Sequence, residues 1–197
     1  MKVLIIDDSE YKYTQIKDSL DRLGGPWITW EKSRNSGLVS VLKHNVQKKF
    51  DPFDLIITDN ILPIYDGEKE LEPFAKDIVN EIRRMGLEDL PIVVCSSDDI
   101  EECDCNYIIK YNVNVSLDGI LQVILGDIAA NKKIKEQEEI RDCKSCQNMS
   151  CRVETYEKPV ENCLGYIHHK EKLNKANVNY TSVGNLQEQG LVKKLIK

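Results

Sequence analysis

The sequence has no long apolar run among its 197 residues. A helix that crosses a bilayer needs roughly 18 or more apolar residues in succession. The first apolar run, Val3 to Ile6, is followed at once by Asp7 and Asp8. We therefore expect no membrane insertion and, because no export signal is recognisable, a cytoplasmic protein.

An excess of positive charge is also missing. Lys and Arg number 27 against 33 Asp and Glu, for a net charge of −6, which argues against a protein built throughout to bind nucleic-acid phosphates. Acidic residues outnumber basic ones before residue 131, and basic residues outnumber acidic ones after it. This change predicts a first domain over 1–130, a helical extension or linker over 131–142 and a small cysteine-rich module over 143–197.

The seven cysteines do not indicate a disulfide framework, because no export signal accompanies them. Four lie in the last segment: Cys143, Cys146, Cys151 and Cys163. The Cys-x₂-Cys spacing of the first two suits two thiolate ligands of one Zn²⁺ ion, and the other two would complete a Cys₄ site. A segment this short with few large apolar residues can hardly fold on hydrophobic burial alone, and metal binding is one common remedy.

Other interpretations of these cysteines stay open. The segment could dock onto the first domain with free thiols, or the same residues could hold an iron–sulfur cluster or form a redox dithiol. Either His168 or His169 could also replace one cysteine as a zinc ligand.

Short apolar runs alternate with longer stretches of helical spacing over the first two thirds of the chain. The runs predict five strands: Lys2 to Ile6, Trp27 to Trp30, Asp54 to Thr58, Pro91 to Cys95 and Asn106 to Ile109. Several of them are apolar at successive positions, which is typical of parallel strands covered by helices on both faces. The order strand, helix, strand therefore predicts an α/β fold with a parallel sheet.

The residues that directly follow these strands form a chemically coherent set. They are Asp7 and Asp8 after the first strand, Asp59 after the third, Ser96 after the fourth and Lys110 after the fifth. Ligands of such sheets bind at the carboxyl ends of the strands, so these side chains are expected in one pocket.

Three carboxylates in one pocket need a counter-charge. At 4 Å and an effective dielectric constant near 20, each like-charged pair costs about 4 kcal/mol. A Mg²⁺ ion, which prefers oxygen ligands, would offset this cost. One carboxylate could then attack a phosphoryl group to give an aspartyl phosphate, whose oxygens the Lys110 amine and the Ser96 hydroxyl would bind.

Four segments of the chain resemble the receiver domain of two-component response regulators. They are residues 2–9, 54–67, 91–97 and 107–110, and the match covers about two thirds of the chain. The segment from Asp59 to Gly67 is the most specific, because it reproduces the family's pattern of phosphoacceptor, Leu-Pro and Asp-Gly.

The resemblance implies a metal site and a phosphoacceptor. Asp59 resembles the phosphoacceptor, Asp8 the direct Mg²⁺ ligand, and Asp7 a ligand that acts through water. The backbone carbonyl of Ile61 resembles the third protein ligand. The phosphoryl donor implied is a phosphohistidine on a sensor histidine kinase.

The resemblance also implies a fold and a response to phosphorylation. Ser96 matches the hydroxyl that moves toward the phosphoryl group, Lys110 its ion-pair partner, and Tyr107 the aromatic side chain that rotates inward. The fold implied is a flavodoxin-like, doubly wound five-stranded parallel sheet with strand order 2-1-3-4-5.

Two departures from the family pattern surround the last strand. Only residues 97–105 stand between the fourth and fifth strands, whereas a mean helix alone takes roughly 11 residues. We therefore predict that the fourth helix is missing or reduced to a turn. Tyr111 stands where the family usually has a proline, and because a cis bond to a non-proline residue costs about 3 kcal/mol we predict a trans Lys110–Tyr111 bond.

The rest of the chain contains two further helical patterns. The apolar face from Ile120 to Ile128 predicts a helix, capped by Ser116 or Asp118, that continues into 131–142 unless that stretch is a flexible polar linker. The segment 186–197 is predicted to form a short helix. Its apolar positions at helical spacing are Leu191, Val192, Leu195 and Ile196.

The function predicted first is an atypical response regulator, a switch and not an enzyme, acting on an unknown downstream protein. The first alternative is a Mg²⁺-dependent phosphohydrolase. Haloacid-dehalogenase-like phosphatases place a second aspartate two residues after the nucleophile, but here that position is Ile61, so turnover would lack a proton donor. The second alternative is a metal-binding nucleic-acid or protein adaptor on a silent receiver-like scaffold, although the basic charge of the tail is weak support for nucleic acid.

Overall fold

The computed structural model of the chain describes residues 1–139 and 192–194. The chain divides into two compact units, residues 1–124 with 181–197, and residues 125–180. The predicted zinc ligands Cys143, Cys146, Cys151 and Cys163, and the alternatives His168 and His169, lie outside the described residues. The zinc prediction therefore stays a prediction.

Eight strands and four helices make up the described chain. The strands are β1 (Lys2–Ile6), β2 (Trp27–Glu31), β3 (Leu55–Thr58), β4 (Ile61–Leu62), β5 (Glu72–Pro73), β6 (Ile92–Ser96), β7 (Tyr107–Lys110) and β8 (Val192–Lys194). The helices are α1 (Glu10–Arg22), α2 (Arg34–Val41, followed by a π-helical turn over Leu42–Val46), α3 (Ala75–Arg84) and α4 (Asp118–Glu139).

The main sheet confirms the predicted flavodoxin-like arrangement. Five parallel strands follow the order β2-β1-β3-β6-β7, which is 2-1-3-4-5 when only these strands are numbered. The sheet also has a sixth strand that the sequence did not predict. β8 pairs with β7 in the antiparallel direction, with Ile109 opposite Val192.

The prediction of a helix over 186–197 is wrong for the residues that the structure describes there. Val192–Lys194 form a strand because the free edge of β7 offers unpaired backbone groups. Apolar residues at helical spacing do not exclude a short edge strand. An unpaired neighbouring strand can decide between helix and strand.

The core lies on both faces of the three central strands, as expected for a parallel sheet. One cluster joins alternate residues of β1, β3 and β6 to the apolar faces of α2 and α3, including Leu4, Ile56 and Ile78. The alternating neighbours on the strands point to the opposite face, and α1 contributes the buried Ile16 and Leu20.

The connection between β6 and β7 contains no helix, which confirms the prediction of a missing fourth helix. Residues 97–106 are turns and irregular backbone. Ile100 and Cys103 pack against the core and Cys105 is fully buried, so the connection closes that side of the core without a helix. The Lys110–Tyr111 bond is trans, as predicted, since the described residues contain no cis peptide bond.

The segment between β3 and α3 contains apolar residues at helical spacing that are not all helical. Leu71, Phe74 and Ile78 have that spacing, but α3 begins only at Ala75 and Leu71 is exposed. A two-stranded ribbon precedes the helix, in which Ile61 pairs with Pro73. Pairing with β4 holds this stretch extended, so the local spacing was overridden by a tertiary contact.

α4 is one uninterrupted helix from Asp118 to Glu139, so residues 131–139 are helical. Near its start, Ser116 accepts a hydrogen bond from the backbone of Asp118, and Asp118 forms a salt bridge of 2.7 Å with Arg22 of α1. Within the described residues, none of the helices combines the length and the apolar character that a membrane crossing requires.

A close contact between α2 and β1 gives a test of the packing. A Cβ atom on Gly37 would lie 2.5 Å from Cδ1 of Ile6, whereas one on Gly119 would meet nothing within 4 Å. We expect Gly37→Ala to lower the free energy of unfolding by about 1–3 kcal/mol through overpacking. Gly119→Ala should leave it unchanged or raise it by up to about 1 kcal/mol. Urea unfolding followed by circular dichroism measures both, and equal effects would contradict the packing described.

Candidate functional site

Three aspartates meet at the carboxyl edge of the sheet. β1 and β3 are adjacent and parallel, with Ile6 opposite Thr58, so the residues that follow them become neighbours. Asp59 donates its backbone N–H to the carbonyl of Ile6 at 2.9 Å. Carboxylate oxygens of Asp7, Asp8 and Asp59 all lie within 4.8 Å of one another. We call these three residues the acidic cluster.

The turn after β1 orders Asp7 and starts α1. Ser9 is the N-cap residue of α1, and its hydroxyl accepts a hydrogen bond of 3.3 Å from the backbone of Lys12. The backbone of Ser9 in turn donates to Oδ1 of Asp7 at 2.9 Å. Ser9 is therefore the residue that caps α1.

Lys12 is the amine that contacts the acidic cluster. Its Nζ lies 3.1 Å from Oδ2 of Asp7 and 2.9 Å from Oδ1 of Asp59. Lys12 is only 5% exposed and Asp7 only 1%. Charges this well buried are tolerated only when they are paired, so the two carboxylates and the ammonium stabilise one another.

Tyr111 covers Lys12 from the side of β7. The Lys12 Nζ lies 5.2 Å from the centre of the Tyr111 ring, a cation–π distance. The Tyr111 hydroxyl donates a hydrogen bond to Gln15 of α1, and its backbone N–H donates to the carbonyl of Ser96. Tyr111 therefore joins α1 to the ends of β6 and β7 above the amine.

The two oxygens of the Asp59 carboxylate differ in their contacts. Oδ1 accepts from the Lys12 ammonium and, at 2.6 Å, from the backbone N–H of Asn60. No group among the described residues donates a hydrogen bond to Oδ2. The side chain of Asp59 is 14% exposed, so this carboxylate keeps one oxygen available to a ligand from solvent.

Burial and the charges of neighbouring groups shift the pKa values in the acidic cluster and of Lys12. Desolvation raises the pKa of Asp7 to about 6, although Lys12 acts against this shift and Asp59 adds to it. Desolvation, again with repulsion from Asp59, raises the pKa of Asp8. Burial alone would lower the pKa of Lys12, but attraction by Asp7 and Asp59 raises it. The amine is therefore held as an ammonium ion.

The other predicted site residues lie at the ends of their strands. Ser96 is fully buried and its hydroxyl accepts a hydrogen bond of 3.3 Å from the backbone of Asp98. Tyr107, at the start of β7, is already buried. Ile61 begins β4, two residues after Asp59.

Lys110 points to a different partner from the predicted one. Its Nζ lies 2.9 Å from Oδ1 of Asp99, and the two side chains are 49% and 107% exposed. Among the described residues the ammonium that contacts Asp59 is that of Lys12, not that of Lys110. Asp99, in the acidic stretch after β6, attracts the Lys110 amine. The amine therefore lies at the surface.

Sequence reasoning missed Lys12. The available signal was its position in the first turn of a helix that begins directly after Asp7 and Asp8. A side chain at that position lies over the carboxyl edge of β1, where the ligands of such sheets bind. Helical spacing alone gives no reason to single out this lysine.

The donor set of the cluster suits a hard divalent cation. Carboxylate oxygens are the ligands that Mg²⁺ and similar ions prefer, and the three carboxylates are already gathered. Asp8 is exposed and forms no salt bridge among the described residues. With one ammonium against three carboxylates the cluster keeps two excess negative charges, so a divalent ion would complete the charge balance.

Comparisons with known proteins agree with the fold. No family model matches the chain, and no curated protein matches it significantly. Solved structures do match. The phosphorylated cyanobacterial phytochrome response regulator RcpA is 20% identical, with 66% of this chain and 94% of that chain covered and a TM-score of 0.51.

Two further solved structures are similar over a comparable share of the chain. The Mn²⁺-bound form of response regulator Rcp1 is 17% identical over 62% of this chain and 90% of that one, with a TM-score of 0.48. The N-terminal domain of a response regulator/sensory box/GGDEF protein from Carboxydothermus hydrogenoformans is 19% identical over 69% and 99%, also with a TM-score of 0.48. The strand order and the match to RcpA show that the described part of this chain has the receiver fold of response regulators.

Proposed function

We propose that this protein is an atypical response regulator that accepts a phosphoryl group on Asp59 in a Mg²⁺-dependent reaction. The observation that carries the proposal is the acidic cluster, in which Asp59 offers one oxygen without a hydrogen-bond donor while Asp7 and Lys12 hold its surroundings in place. The role of the protein is that of a switch, and the phosphorylated state is its signal.

The chemistry requires a nucleophile, a phosphoryl donor and charge neutralisation. Oδ2 of Asp59 attacks the phosphorus atom, the new O–P bond forms, and the bond from phosphorus to the donor breaks with its electron pair leaving on the donor. A sensor histidine kinase would supply the group from a phosphohistidine, whose P–N bond is the one broken. An acyl phosphate can transfer the group in the same way.

Asp8 and Asp59, with the backbone carbonyl of Ile61 and a water-mediated contact to Asp7, would hold the Mg²⁺ ion. Such an ion, when bound, neutralises charge on the transferring phosphoryl oxygens. Asp7 is the least available of the three carboxylates, because both of its oxygens already accept contacts from Ser9 and Lys12. This contact pattern supports an indirect role for Asp7.

The fold supports the proposal. RcpA was solved in its phosphorylated form, so the receiver fold is compatible with a phosphorylated state. Ser96 is buried at the end of β6, and Tyr107 is buried at the start of β7. We propose that they respond to the phosphoryl group and pass the change to a downstream protein partner.

We propose a switch and not a phosphohydrolase, because the residue two positions after Asp59 is Ile61, which cannot donate a proton to a leaving group. A generic phosphomonoester should therefore be hydrolysed slowly or not at all. Multiple-turnover release of inorganic phosphate in the presence of Mg²⁺ would favour the enzyme instead.

Phosphorylation can be tested with the full chain and a small phosphodonor. We expect acetyl phosphate with Mg²⁺ to add one phosphoryl group per chain, measured by intact-protein mass spectrometry, because a single carboxylate carries the reactive oxygen. Asp59→Asn and addition of a chelator should each abolish the addition. Asp66→Asn, a change in the exposed turn that follows, is the matched control and should retain it. Phosphorylation that persists in Asp59→Asn would exclude Asp59 as the acceptor.

Metal binding can be tested separately through a tryptophan beside the site. The indole Nε1 of Trp30 donates a hydrogen bond of 2.6 Å to the backbone carbonyl of Asp7, while Trp27 is 81% exposed. In a Trp27→Phe background we expect Mg²⁺ or Mn²⁺ to change the emission of Trp30 in a saturable way. Asp8→Asn should weaken the apparent affinity by about tenfold or more, equivalent to at least about 1.4 kcal/mol.

Asp18→Asn provides the control for this titration, since Asp18 is an exposed aspartate on α1 outside the cluster. It should bind the ion as the parent protein does. A parent protein whose Trp30 emission and binding heat are both unchanged by millimolar divalent ion would contradict the metal site.

A further inference from the structure

The positive charge that faces Asp59 comes from the first helix and not from the last parallel strand. Lys12 of α1 is buried and contacts both Asp7 and Asp59, whereas Lys110 of β7 is half-exposed and contacts Asp99. Exposed ion pairs contribute little because solvent and salt screen them, and both side chains of the Lys110–Asp99 pair are exposed. The Lys12 contacts are the ones made in a desolvated pocket.

We propose that Lys12 is the catalytic amine of the phosphoacceptor site: it binds the phosphoryl oxygens after transfer to Asp59, in the role that the sequence assigned to Lys110. This inference rests on the proposed function, because it concerns the group that Asp59 would accept. It goes further by naming the residue that neutralises the product and by moving that residue to another element of the fold.

The position of the Lys12 amine is set before any ligand arrives. The Ser9 cap places Lys12 in the first turn of α1, the two carboxylates hold its Nζ, and the Tyr111 ring covers it. Donors held in place in a site with little water stabilise developing charge most effectively, because they need no reorganisation during the reaction. A half-exposed side chain such as Lys110 would first have to leave Asp99 and lose its hydration.

The contacts of Asp59 leave the correct oxygen for reaction. Lys12 and the Asn60 backbone bind Oδ1, and Oδ2 has no donor among the described residues. When Oδ2 forms the bond to phosphorus, the donor departs with its electron pair and takes up the negative charge that the carboxylate loses. The phosphoryl oxygens carry their own negative charge into the site. The ammonium, 2.9 Å from the other oxygen of the same carboxylate, is then beside the new charge.

The charge balance predicts opposite effects on metal binding and on phosphorylation. The Lys12 ammonium repels a divalent ion that binds to the same carboxylates, so its removal should strengthen metal binding. The same removal takes away a cation that binds the phosphoryl group, so it should weaken phosphorylation. A residue with a structural role alone would weaken both.

The test compares Lys12→Met with Lys110→Met in the full chain. The rate of phosphoryl addition from acetyl phosphate with Mg²⁺ is measured by intact mass, and Mg²⁺ affinity by Trp30 emission in the Trp27→Phe background. We expect Lys12→Met to slow phosphorylation by about 100-fold, as for the loss of one preorganised donor. Its Mg²⁺ affinity should rise by about threefold to tenfold through the lost repulsion. The phosphorylation rate of Lys110→Met should stay at least about tenfold higher than that of Lys12→Met.

Lys76→Met is the matched surface control, since Lys76 is half-exposed and paired with the exposed Glu101, as Lys110 is with Asp99. It should leave both measurements unchanged. A double variant, Lys12→Met with Asp7→Asn, guards against misfolding because it removes one charge of each sign from the buried pair. It should fold and be phosphorylated more slowly than Asp7→Asn alone, which keeps the Lys12 amine beside Asp59.

The possible failures are distinguishable. A wild-type chain that takes up no phosphoryl group overturns the proposed function, and this inference with it. Normal phosphorylation of Lys12→Met or of the double variant, with strong loss in Lys110→Met, overturns this inference alone. Weaker Mg²⁺ binding together with slower phosphorylation in Lys12→Met would assign Lys12 a structural role. That result also overturns this inference.

Discussion

The contact of one buried ammonium with two aspartates is the interaction on which the site depends. Asp7 and Asp59 come from neighbouring strands, and without a cation between them their carboxylates would repel each other in a pocket with little water. Lys12 supplies that cation from the first turn of α1. Because its charge is single and the cluster carries three carboxylates, the site is stabilised and still has excess negative charge for a divalent ion.

The parallel sheet makes this contact possible. The register of β1 and β3 brings Asp7 and Asp59 to the same edge, and buried apolar residues on both faces keep the two strands rigid. α2 approaches β1 closely because Gly37 has no Cβ to meet Ile6. The site is therefore held by core packing, while its polar contacts determine which oxygen of Asp59 is available.

The side of the molecule around β7 differs most from the family pattern. No helix connects β6 to β7, β8 covers the free edge of β7 in the antiparallel direction, and Tyr111 reaches back to α1. An edge strand covered in this way has fewer backbone groups available for pairing with another chain. This side of the domain is consequently built from different elements than the resemblance implies.

Several features could be predicted from the residues alone: the parallel sheet, the missing helix and the three aspartates at one edge. The strand order could be predicted through the family resemblance. These follow from apolar runs, from connection lengths and from which residue comes directly after a strand, all of which are local or depend on a few strong motifs.

Three features depend on contacts in three dimensions: which amine meets Asp59, where α3 begins, and that 192–194 form a strand. A lysine has a long flexible stem, so its partner is set by the charges and the solvent around it in three dimensions and not by its neighbours in sequence. Likewise, Leu71 and Val192 belong to helical patterns, yet Leu71 directly precedes β5 and Val192 begins β8. In both cases an unpaired backbone edge was available to pair with that part of the chain.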